Sequence, residues 1–402
     1  MQAWRAPRAF DGDRFLPGGA TVLVEGDRIV GVESADFAVP SDCPVTSYDG
    51  TLMPGLVDAH VHLVSDGSLG ALERVGALDE EAIDAAIVQS LAAQVAAGVT
   101  TVRDLGDRGY RTLVARDRGA AGSPRIVASG PPVTTPGGHC HFLGAVAETE
   151  DELRSAVIER HERGADVVKV MASGGFLTPG TDMVGVQYAV TALRAVVDTA
   201  HDRGLPVLAH AHSLAAIEAA LAAGVDGIEH FTGVTEDGAQ LSDDLLARTA
   251  AAGVVVDPTM GNDMSLVATM PPPPPQVQAI MDRLGMDMLT FFAQRSADVG
   301  RMHRHGVRVV PGVDAGAMPL KAHGNAWLAV LDLVAAGWTL EEALAAGTAG
   351  AAEACGLRTV TGRLQRDLAA DLLVVDGDLH AAPRSLGSPL AVMVRGDTAV
   401  SR

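Results

Sequence analysis

Between residues 79 and 357 the chain repeats one unit: an Ala-rich stretch of helical period, a small residue, Arg or His followed by Gly, then a short Val/Ile/Leu run. The runs are AGVTTVRD ending at Asp104, RGADVVKV around Lys169, RGLPVLAH ending at His210, AGVDGIEH ending at His230, AGVVVDPT near Pro258 and HGVRVVPGVD ending at Asp314. Gly after a helix suits the left-handed position beyond its last turn, and an uninterrupted branched apolar run suits a parallel strand buried on both faces. LVDAHVHL (56–63) before the first helix and PRIVASG (124–130) between AGVTTVRD and RGADVVKV bring the strands to eight. Eight such units over about 300 residues predict an α/β chain built on a (β/α)8 TIM barrel, whose chemistry sits at the C-terminal strand ends. Six of the predicted strands carry His, Lys or Asp there.

The flanks follow another rule. Residues 18–54 and 361–398 alternate like strands, with GD turns, and neither is long enough to fold alone. They predict one small composite β domain from both termini, residues 1–54 with 361–402, beside a barrel of 55–360. The run Pro271 to Pro275 predicts a stiff polyproline II surface loop.

Composition narrows the partners. A formal net charge of -20, without a Lys/Arg cluster, repels phosphate backbones and anionic lipid, so neither nucleic acid nor membrane is expected. A small-molecule substrate is expected instead, and a homo-oligomer is compatible with the sequence. Cys43, Cys140 and Cys355 are far apart and lack CxxC spacing, and no apolar leader region or run of about 18 uncharged apolar residues occurs, which predicts a soluble cytoplasmic protein with reduced thiols.

In DAHVH, His60 and His62 lie two apart on a strand and share a face, and neutral imidazoles suit zinc and similar divalent ions. An HxH pair alone is weak evidence, but His210, His230 and Asp314 end three other strands at corresponding positions. His212 shares a strand face with His210, so the residues alone leave the choice between them open. Lys169 is the unusual member: the chain has two lysines, Lys169 and Lys321, so 28 of its 30 basic residues are arginine. A lysine can shed its proton when desolvated and take up CO2 to become an anionic carbamate, which arginine cannot. The bland alternative is a salt bridge from Lys169 to Asp314 or Asp104.

These motifs resemble the amidohydrolase superfamily, and more narrowly its imidazolonepropionase-like branch with the prolidase-type Xaa-amino-acid dipeptidases. The resemblance runs from PGLVDAHVHL through TTVRD, PGGHCH, DVVKVMASGG, VQYAVTALRAVV, HAHSLAAIEAALAAGVDGIEH and GVDAG to GRLQRDLAADLLVVDGD. It implies two divalent ions, zinc the expected metal, held by His60 and His62, by His210 and His230, by Asp314, and by an N6-carboxylated Lys169 bridging the pair. It implies Asp314 as the group that moves protons and hydrolysis of an amide in a dipeptide, N-acyl amino acid or related metabolite. For the composite domain of the two termini it implies a β-sandwich. It also implies substrate contacts from His139 in the GGH loop and from Tyr188; His141 and His323, on predicted strand-end loops, join them. The chain departs from the dipeptidase pattern at position 212, where His stands for the usual Tyr, and this weakens the expectation of amino-acid carboxylate recognition. The alternatives are a mononuclear ring-opening hydrolase or deaminase, which typically carries an HxxE motif absent after His230, and a metal-free scaffold.

Overall fold

The computed structural model describes residues 1–273 and 275–401. Eight parallel strands form the barrel: Leu56–Val61, Val99–Asp104, Arg125–Ala128, Val168–Met171, Val207–Ser213, Gly227–Thr235, Val255–Asp257 and Arg308–Val309. They pair in two arcs, the first three strands and the last five. The arcs are joined by bridges at Val133↔Val170 and Val61↔Ala315, with His62 N–H donating to the Ala315 carbonyl at 2.7 Å. Every residue of the first, second and fifth strands is buried, as expected of parallel strands covered by helices outside and by packed side chains inside.

Helix boundaries follow local chemistry. Asp79, Thr149 and Ser213 each accept a backbone N–H from the first turn of the helix they precede. The helix Leu214–Ala223 stops at Gly224, which takes the left-handed φ of 85° that a side chain would resist. The eighth strand is shorter than its apolar run predicts, because Pro311 has no N–H for the ladder. The chain stays tied beyond it: Val313 N–H donates to Asp58 at 3.0 Å and Asp314 N–H to the His60 carbonyl at 2.8 Å.

The termini build the second layer. One sheet holds Gln2–Ala6, Ala20–Glu25, Arg28–Glu33 and Val45–Ser47; the other joins Arg8–Phe10, Phe15–Leu16 and Gly50–Pro54 to Leu372–Asp376, Pro389–Val394 and Asp397–Ser401. Gly50–Pro54 runs antiparallel to Leu372–Asp376, from Leu372↔Pro54 to Asp376↔Gly50, so both ends of the chain share one sheet. Trp4, Ile29, Leu52 and Met393 are buried between the sheets.

The connection from the seventh strand to the eighth is the long one. It carries a 3-10 turn at Met264–Thr269 and helices Pro275–Leu284 and Met288–Arg304. Pro274, within the run expected to be polyproline II, lies outside the described residues; Pro275 opens a helix, where a proline forfeits no hydrogen bond.

Candidate metal centre

His60 and His62 project from the end of the first strand and Asp314 from the segment that follows the eighth. Asp314 Oδ1 lies 3.1 Å from His62 Nε2 and 3.5 Å from His60 Nε2. His210 and His212 on the fifth strand meet His230 on the sixth, and their ligand atoms lie within 4.8 Å of one another. The two groups adjoin, with the His60 and His230 ring centroids 5.5 Å apart. Strand pairing brings Lys169 beside them, since Lys169↔Leu208 and Met171↔His210 are in register.

Each ring has one nitrogen already engaged. His60 Nδ1 donates to Glu229 at 2.7 Å, His62 Nδ1 to the Gly106 carbonyl at 3.1 Å, and His210 Nε2 to the Gly174 carbonyl at 3.1 Å. His230 Nδ1 hydrogen-bonds the Thr259 hydroxyl at 2.9 Å and His212 Nδ1 that of Thr232 at 2.8 Å. The carboxylate and carbonyl acceptors place the proton of His60, His62 and His210 on the engaged nitrogen, and in all five rings the other nitrogen is left for a ligand, as supporting contacts do in metal sites.

Several strand ends are twisted into the left-handed region without glycine: His230 (φ 70°), Phe231 (φ 50°), Thr259 (φ 51°) and Asp314 (φ 64°). Such residues cost of order 1–3 kcal/mol each and persist where surroundings hold them. Two buried cations hold these. Arg295 donates to the carbonyls of His230, Phe231 and Pro258, and Lys321 to those of Thr259 at 2.6 Å and Val313 at 2.8 Å.

Burial sets the charge states. Desolvation pushes His60 down to about 4 and His139 to about 3, and holds His210, His212 and His230 well below the ordinary imidazole range. All are therefore neutral near pH 7, the form that ligates metal. His62 goes the other way, because Asp314 outweighs desolvation. Burial alone would raise Asp314, yet His60, His62 and Lys321 hold its carboxyl well below the usual range. Lys169, only 1% exposed, is driven down by desolvation, and its Nζ has no hydrogen-bond partner among the described residues.

The cavity over this floor measures about 680 Å³ and is lined by all the expected metal ligands together with His139 and His212. The His139 ring lies tilted against His210 with centroids 4.4 Å apart, and Gly175 makes room for it, since a Cβ there would fall 2.4 Å from the ring. The other expected contacts lie outside the lining. The Tyr188 hydroxyl donates to the Ala147 carbonyl at 2.7 Å, His323 Nε2 donates to the Ser65 carbonyl at 2.9 Å, and His141 is exposed with Nδ1 on the Gly138 carbonyl. Asp58 orients no imidazole; it accepts the backbone N–H groups of His60 and Val313. Cys140 is buried and its thiol pushed up to about 12 by desolvation, far from a nucleophile's range. Sequence reasoning missed Glu229, Arg295 and Lys321. Only Lys321, as the second of two lysines, carried a signal.

A closed (β/α)8 barrel with a histidine-and-carboxylate floor and a two-termini β-sandwich defines a hydrolase of the amidohydrolase type. The chain belongs to the amidohydrolase family, which it matches over residues 51–399. It is 30% identical over 370 residues to an uncharacterized protein of Mycobacterium tuberculosis, covering 88% of this chain and 86% of that one. It is 27% identical over 245 residues to the ochratoxinase of Aspergillus niger, 54% of this chain and 51% of the relative. The crystal structure of a prolidase complexed with N-methylphosphonate-L-proline superposes with a TM-score of 0.83 at 25% identity, covering 100% of this chain and 99% of that one.

Proposed function

We propose that the protein hydrolyses the C–N bond of a small amide with a pair of divalent metal ions. His60 and His62 would hold one ion, with Asp314 beside them, and His210 and His230 the other. His212 reaches the same group as His210; the family pattern selects His210 and leaves His212 to the substrate. Imidazole nitrogens and carboxylate oxygens suit zinc.

The observation that carries the reading is Lys169. An ammonium buried without a partner is costly, and desolvation favours the neutral amine. That amine adds to CO2 with loss of one proton, giving a carbamate with two oxygens for two cations. Bound here, the ions would polarise the scissile carbonyl and make a shared water acidic enough to react near neutrality. Asp314 accepts the proton of the attacking water and returns it to the leaving nitrogen. Glu229 holds the His60 tautomer, and His139, neutral with Nδ1 unpartnered, offers a hydrogen bond to substrate.

Elemental analysis of protein purified without chelator should give about two metals per chain, with amide hydrolysis lost on chelation and regained with zinc. A reproducible single equivalent in fully active enzyme would favour a mononuclear site.

A further inference from the structure

The walls of the cavity differ from its floor. Above the histidines they are formed by apolar side chains, among them Phe176 and Leu177 and, from the long seventh connection, Met260, Met281, Phe291 and Phe292. Pro271, Pro272 and Pro273 line the cavity as well, so the proline run is part of its rim. A volume of about 680 Å³ lies within the roughly 300–1,000 Å³ of small-molecule sites, where apolar walls take up bulk and a few polar groups fix orientation.

Among the described residues, three cationic side chains reach the lining: Lys169, Arg295 and Lys321. Lys169 would be taken up by the metal bridge of the reading above. Arg295 donates to three backbone carbonyls and has Asp298 as its counter-charge; Lys321 donates to two and faces Asp314 and Asp257. Both are structural pins for the twisted strand ends, turned away from the task of meeting an anion. The remaining charged groups of the wall are acids, Glu73 and Asp287.

A dipeptide or an N-acyl amino acid carries its carboxylate two bonds from the scissile nitrogen, so that charge has to enter the same cavity. There it would be desolvated without a cationic side chain free to pair with it and would face Glu73 and Asp287, a combination that disfavours binding. An apolar substituent gains from the same walls. Resting on the amide-hydrolase reading, we infer that the substrate is an uncharged, largely apolar amide, with a bulky aromatic or branched substituent and no free carboxylate beside the scissile bond. Water adds its oxygen to the acyl carbon, the C–N bond breaks, and the nitrogen leaves with a proton, giving a carboxylic acid and an amine.

The test is a matched pair of probes on zinc-loaded protein: N-benzyl-2-naphthamide, and the same amide with an L-configured carboxylate on the benzylic carbon, two bonds from the scissile nitrogen. The neutral amide should show a kcat/KM at least tenfold higher; equal or better turnover of the carboxylate would overturn the inference. Binding is measured separately by calorimetry, using the two ketones in which CH2 replaces the amide NH. The neutral ketone should bind at least tenfold tighter, and equal affinities, tighter binding of the carboxylate, or no binding of the neutral ketone would each overturn the inference. If the neutral ketone binds tighter but neither amide is cleaved, the hydrolase reading falls while the preference for an uncharged, apolar ligand stands.

Discussion

Lys321→Met removes one of the two pins under the twisted strand ends. In the native protein its ammonium spans the carbonyls of Thr259 at 2.6 Å and Val313 at 2.8 Å. Met keeps the apolar stem and supplies no donor. Stranding two buried carbonyls costs about 1–3 kcal/mol each, or about 2–6 kcal/mol together. Part is offset because the ammonium is itself disfavoured by burial, so the net loss falls in the lower half, about 2–4 kcal/mol. Against a total of about 5–15 kcal/mol the protein stays folded. The damage then reaches the site: Thr259 orients His230 through its hydroxyl and Val313 precedes Asp314, so kcat should fall about 10–100-fold, as for other supports of metal ligands. Urea unfolding of metal-free protein should show a lower midpoint at unchanged slope, and steady-state kinetics should place the loss in kcat. A wild-type midpoint with a raised KM and unaltered kcat would refute this and make Lys321 a substrate contact.

Glu229→Gln removes the carboxylate that orients His60 and pairs with Arg103 at 3.4 Å, so metal affinity should drop about 10–100-fold, read by competition with a chelating dye. Asp314→Asn should lower turnover far more than it lowers protein yield, because it removes the proton acceptor; near-normal rates would end that assignment. Cys140, buried with its thiol at about 12, should resist iodoacetamide in the native protein at pH 8 and react after unfolding, as peptide mapping would report.

Residues that end a strand were the most legible in the sequence. A strand repeats every two residues and a barrel aims all its strand ends one way, so His60, His62, Lys169, His210, His212, His230 and Asp314 could be brought together by counting, which does not choose between His210 and His212. Groups that act through backbone carbonyls were hidden: Arg295 lies mid-helix, and nothing in its neighbours' types announces that it clasps His230, Phe231 and Pro258. Glu229 sits within the AGVDGIEH run beside a ligand it does not serve; its partner His60 is on another strand. Tyr188, His323 and His141 were named from motif or loop position, which cannot tell a ring facing the cavity from one bonded to a nearby carbonyl. The rim built by the seventh connection was read only as a proline loop, because its contribution depends on where the intervening helices fold back.

The proposed mechanism turns on Lys169, and one comparison tests it: metal content and amide hydrolysis of Lys169→Arg against Lys169→Glu. A carbamate needs a neutral amine, so Arg should lose the second metal and most activity although it keeps the charge and approximate length. Glu supplies a shorter carboxylate and should retain more of both. A salt-bridged lysine predicts the reverse order, and Lys169→Arg with two metals per chain and full activity would remove the carbamate from the mechanism.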